Sequence, residues 1–183
     1  MKIVVIALNT FRETVREKVL YNLLFFALLM IGSSILLSTL TIGEQSKIIM
    51  DIGLASINIF GILIAIFVGI GLVSKEIEKK TIYTIISKPI YRYQFLLGKY
   101  LGLLITLFVN TSIMVTGFFG VLILMQYNIT PDMINAILLI FIELMVVTAV
   151  ALMFSTFTTS TLSAIFTISI YIIGHLLGDL KAF

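Results

Sequence analysis

The sequence predicts an all-α integral membrane protein: an N-terminal interfacial amphipathic helix followed by about five transmembrane helices. Three observations carry this. Hydrophobic residues make up 60% of the 183-residue chain and charged residues only 11%, against about 45–50% and about 25% in soluble domains. The mean hydropathy is +1.20, more apolar surface than a soluble core of this length can hide. The apolar residues also gather in five stretches, each near the roughly 20 residues that cross a hydrocarbon core as helix. These are residues 19–41, 52–73, 101–126, 133–154 and 158–177, within a single transmembrane domain spanning 1–183. The fifth is the weakest, since it begins in the Ser/Thr-rich run STFTTSTLS and ends at His175.

Charge sets the expected orientation. Lys2, Arg12, Arg16 and Lys18 precede the first span, and Lys75, Lys79, Lys80, Lys88, Arg92 and Lys99 lie between the second and third. Only Lys47 and Lys181 fall on the other side. This positive-inside bias places the N-terminus and the 75–99 segment in the cytoplasm of a multi-pass cell-membrane protein. The basic balance then reports insertion and anionic lipid rather than a nucleic-acid partner. In residues 1–18, Leu8, Phe11 and Val15, with Val19 just beyond, recur at helical spacing opposite Arg12, Glu13, Arg16 and Glu17. That pattern predicts an amphipathic helix in the membrane interface. The opening run MKIVVIAL meets charge too early, and lacks the cleavage site, of a signal peptide.

The 75–99 segment holds half of the Lys and Arg of the chain. Within residues 76–87, Ile82, Ile85 and Ile86 form an apolar stripe, with Glu76, Lys79, Lys80 and Ser87 on the other side. Pro89 ends that helix, because Lys88 before it is driven from helical dihedrals. A new helix is expected from about Tyr91 into the third span. Read from residues alone, the segment is either a connector whose lysines bind lipid headgroups or a docking surface for a cytoplasmic protein.

Several chemistries are excluded. With no cysteine and one histidine, thiolate catalysis and clustered Cys or His metal sites are absent. No Gly-x-x-x-x-Gly-Lys-Ser/Thr phosphate loop occurs, since Gly98-Lys99 is followed by Tyr100. No catalytic triad or carboxylate pair is present. Inside the membrane the outstanding residue is Glu143, in the middle of the fourth span, where an ionised carboxylate is expensive. Asn110, Thr111, Ser112 and Thr116 on the third span are its expected partners, and Glu143 and Asn110 the candidate pathway residues. Gly98-x-x-x-Gly102 and Gly174-x-x-x-Gly178 have the spacing of close helix approach, a pattern chance often produces. Thr130-Pro131 reads as a cap followed by proline in the first helical position.

The run EIEKKTIYTIISKPIYRYQFLLGKYLG resembles the cytoplasmic loop of ATP-binding-cassette exporter permeases of the ABC-two type. The likeness rests on Glu76, Thr81, on Pro89 and Arg92 in Pro-x-x-Arg, and on the Gly98-Lys99 pair. The lead-in ALNTFRETVREKVLY and the polar turn before the fifth span, followed by Gly174-His175, are also similar. A particular likeness is to the small permeases related to copper-site-maturation and gliding exporters. The resemblance implies a transmembrane subunit that is not itself an enzyme. ATP and magnesium would be held by a separate cytoplasmic ATPase, and a second permease copy or homologue would complete the pathway. It also implies that residues 76–87 are a coupling helix. Its Ile stripe, Ile82, Ile85 and Ile86, would fill the ATPase groove, Glu76 and Lys79 or Lys80 would make rim pairs, and Thr81, Pro89 and Arg92 are the motif positions counted with the same coupling site. The family usually has six spans with both ends inside, so by this likeness the sixth is missing here, the chain being either truncated or shortened or the fold trimmed. Two other classes fit the residues: a membrane scaffold recruiting a cytoplasmic partner, and an ion-coupled carrier using Glu143. No internal repeat with broken spans supports the carrier.

Overall fold

In a computed structural model the described residues are 2–39, 45–78 and 92–181, with side chains described for 3–39, 45–71 and 93–176. They form six helices and, among them, no strand: α1 (Lys2–Val15), α2 (Lys18–Thr39), α3 (Gln45–Glu78), α4 (Arg92–Leu124), α5 (Pro131–Ser155) and α6 (Ser160–Lys181). Four are long and apolar enough to cross a membrane, and Ser160–Leu176 of α6 is a shorter apolar helix. The protein is therefore an all-α integral membrane protein. Every backbone bond in hydrocarbon must close within its own segment, and helices do that.

Two helices exceed the apolar stretches that mark them. α3 has 34 residues and α4 has 33, about 50 Å each at 1.5 Å per residue, against a hydrocarbon core of about 30 Å. Hydropathy marks the slab, whereas a helix continues until its own sequence stops it. α3 therefore begins at Gln45, ahead of the apolar run, and keeps its Lys47 and Asp51 turns helical. At its other end no Gly or Pro interrupts Val73 to Glu78, so α3 carries Glu76 in the same rod as the second span. The expected separation between that span and a short surface helix is absent as far as Glu78.

The ends have local causes. α4 stops at a left-handed Gln126 (φ 58), where Tyr127 N–H donates to Leu122 O (2.9 Å) and Gln126 N–H to Ile123 O (3.1 Å). This is the paired closure that usually employs glycine. Pro131 opens α5 behind an extended Thr130, whose side chain makes no capping bond. α1 and α2 are separated by a turn in which Arg16 N–H reaches Glu13 O and Glu17 N–H reaches Thr14 O.

α3 is the central span: 56% of its apolar window is buried, against 22% for α2. It touches α2, α4, α5 and α6. Lipid tails are as apolar as leucine, so fit rather than water exclusion must hold such helices together. Fully buried Phe118 of α4 lies against Gly53 of α3, and fully buried Leu144 of α5 against Gly61. The outward residues, including Phe25, Leu36, Ile123 and Leu139, are large and apolar, as lipid contact requires.

Candidate functional site

Two constellations place charge within this apolar body. The first is the foot of α4. There α1 packs across the first turns of α4, and the two glycines of Gly98-x-x-x-Gly102 form its seat. A Cβ on Gly98 would stand 2.7 Å from the Cβ of Ile6, and one on Gly102 would stand 2.6 Å from the Ala7 carbonyl oxygen. The spacing is thus a true close approach, between α4 and α1 rather than between two spans. The face of α1 that docks is Ala7, Thr10 and Thr14, all buried, small enough to let the backbones meet. The apolar stripe picked out in the sequence does not supply this contact. Leu8 is exposed, Phe11 and Val15 are half-buried, and Val19 belongs to α2. Between the helices, Lys99 is only 2% exposed. Its Nζ lies 3.6 Å from Glu13 Oε2 and 5.8 Å from the centre of the Phe95 ring, a charge contact plus a cation–π contact.

The second constellation lies at mid-span. Asn58 Nδ2 on α3 donates to Glu143 Oε2 on α5 at 3.1 Å. The expected partners on α4 are not brought to Glu143, and the reason is local. Asn110 Nδ2 donates to Thr106 O (2.8 Å), Ser112 Oγ to Phe108 O (2.7 Å) and Thr116 Oγ1 to Ser112 O (2.8 Å). These three are bonded to the carbonyl one turn back, the usual recourse of short polar side chains in a helix, while Thr111 Oγ1 is buried with no hydrogen-bond partner among the described residues. Asn110 is thereby buried inside α4's own bonding and is not grouped with Glu143. Asn58 was legible by the rule that singles out Glu143, as a lone amide in the apolar run of α3, yet spacing gave no sign of the pairing. Glu143 also borders a groove of about 390 Å³ between α5 and α6, whose lining includes Thr167, Tyr171, Gly174 and His175. His175, expected as an interfacial side chain, stacks on Tyr171 with ring centres 5.7 Å apart. Gly174 has open space beside it.

Of the loop residues singled out in the sequence, Glu76 sits near the C-terminal end of α3 and Arg92 is the first residue of α4. Lys79, Lys80, Thr81, Ile82, Ile85, Ile86 and Pro89 lie outside the described residues.

A family model described as ABC-2 family transporter protein matches residues 4–182, nearly the whole length. The chain belongs to that family. It is a membrane-spanning permease subunit of an ATP-binding-cassette transporter, a class whose general partner is an ATP-binding-cassette ATPase subunit. Comparison with curated proteins and with solved structures gives no significant match.

Proposed function

We propose that the chain is the permease of an exporter, working as two copies, or with a homologue, beside two cytoplasmic ATPases that hold ATP and magnesium. Two-fold assembly follows from size, since one chain of this length is too small to enclose a pathway. The segment 76–87 takes the role of coupling helix. Ile82, Ile85 and Ile86 enter an ATPase groove, Glu76, Lys79 and Lys80 pair at its rim, Thr81 belongs to the same coupling site, and Pro89 and Arg92 follow at its end. The N-terminus and this segment face the cytoplasm, α1 lies in the inner interface, and the likeness to copper-site-maturation and gliding permeases belongs to the same reading.

The observation that carries it is the rod-like continuity of α3 from Gln45 through Glu78 in a chain matched to this family along its length. A helix of about 50 Å transmits a push at its loop end to Asn58 and Gly61 at mid-membrane, where it meets α5. α4 returns from the same loop at Arg92 with α1 fastened to its base. Movement of an ATPase pair against residues 79–91 would therefore tilt both spans, in the manner of rigid-body switching.

The test is co-purification. Ile82→Asp or Ile85→Asp puts a charge into the docking stripe and should abolish recovery of the ATPase with the permease, while the permease still inserts. An intact complex with either variant would remove the coupling assignment.

A further inference from the structure

Glu143 stands in the middle of α5, half-buried, on the wall of the α5–α6 groove. Its hydrogen-bond partner Asn58 is neutral, and no Lys or Arg is among the residues that line the groove. The other titratable groups facing it are Tyr171 and His175. The second polar atom of Asn58, Oδ1, is buried without a donor among the described residues. A carboxyl group at this depth needs either a proton or a cation.

The rest of the groove says what kind of cation. Its walls are aliphatic, from Val146, Val150 and Ile170, and it opens on the outer side of the bundle, where Val146 is 59% and Ile170 46% exposed. The stacked Tyr171 and His175 rings offer an aromatic face, which attracts organic cations. A hard metal ion wants several oxygen ligands, and beside Glu143 the lining has only the Tyr171 phenol and a Thr167 hydroxyl already bonded to Ser163 O. An anion would meet the carboxylate. The volume falls within the range of small-molecule sites.

We propose that the α5–α6 groove binds an amine-bearing amphiphile, its ammonium on the Glu143 carboxylate and its hydrocarbon chain along Val146, Val150 and Ile170. As a cargo assignment this rests on the permease reading above; as a binding assignment it needs no ATPase. Asn58 is a positioning residue that holds the carboxylate toward the groove. The ammonium is shared by membrane phosphatidylethanolamine and by soluble alkylamines, and both could enter from the lipid side.

The experiment is native mass spectrometry of the full chain in uncharged maltoside micelles, titrated with dodecylammonium, dodecanol and dodecyl sulfate. The wild-type protein should bind dodecylammonium in preference to the other two. Glu143→Gln should weaken that binding by roughly tenfold or more, the scale of losing a charge-assisted contact, while Glu143→Asp retains most of it. Val150→Trp fills the groove with the carboxylate intact and should also lower binding, which keeps the test decisive if the Gln variant fails to fold. Competition by phosphatidylethanolamine would assign the lipid source, and its absence the soluble one. Equal binding by wild type and a folded Glu143→Gln, or equal binding of dodecyl sulfate, would overturn the proposal. Because ATP is absent, failure here leaves the exporter reading standing, and an ATPase complex that survives Ile82→Asp leaves this groove standing.

Discussion

The foot of α4 and the groove beside α5 each hold a charged side chain within the apolar body, and they treat them oppositely. Lys99 is sealed between α1 and α4, met by Glu13 and capped by Phe95. Glu143 is half-buried, hydrogen-bonded among the described residues by the neutral amide of Asn58, and borders open space. Glycine serves both places to different ends. At Gly98 and Gly102 it removes a side chain so that helices can touch, whereas Gly174 leaves a gap. Lys99 has its counter-charge and closed packing, as a structural charge does, whereas the ligand role proposed for Glu143 rests on its having neither.

Substitutions should separate the two regions. The largest effect is expected from Gly102→Leu. Its new Cβ would meet the α1 backbone at the Ala7 carbonyl, which cannot rotate away, so the loss should reach about 3 kcal/mol and release α1 from α4. Thermal unfolding in detergent measures it, and Gly120→Ala, with nothing within 4 Å, is the matched control that should stay within ~0.5 kcal/mol. Next comes Glu13→Gln, which removes the Glu13 carboxylate from its contact with Lys99. Glu13 is 39% exposed, so solvent tempers the loss to about 1–2 kcal/mol, and adding Lys99→Met should recover most of it in a double-mutant cycle. The smallest stability effect belongs to Glu143→Gln, which can keep a hydrogen bond to Asn58. Unfolding should move by less than ~1 kcal/mol, while ATP-dependent transport by the assembled complex falls. A Gln variant that transports normally would make Glu143 a structural residue like Lys99 and dissolve the contrast.

Much of the architecture was legible because the bilayer imposes it. Five apolar runs, the proline at the head of α5, and the restart of helix near Tyr91 all follow from local sequence. The true lengths of α3 and α4 were less visible, since hydropathy falls at Lys75 while helix-forming composition continues. Pairings between helices were the least visible. Nothing in the spacing says that Glu143 meets Asn58 rather than Asn110, because that depends on which polar groups are already satisfied by their own helix. The docking face of α1 was hidden for a related reason. A search for large apolar residues passes over Ala7, Thr10 and Thr14, whose value lies in being small. The Gly98-x-x-x-Gly102 signal was present but common by chance, and only its partner made it specific.

The central claim is that residues 76–87 hand the motion of a cytoplasmic ATPase to α3 and α4. The chain contains no cysteine, so a single Ile82→Cys gives one unambiguous handle. In membranes carrying the assembled transporter, a thiol-reactive photocrosslinker on that cysteine should capture the ATP-binding-cassette ATPase, and Asn128→Cys, expected on the opposite face, should not. An Ile82→Cys protein that is labelled only from the outer face, or that is reached from the cytoplasm yet never crosslinks to the ATPase of an intact complex, would contradict the account.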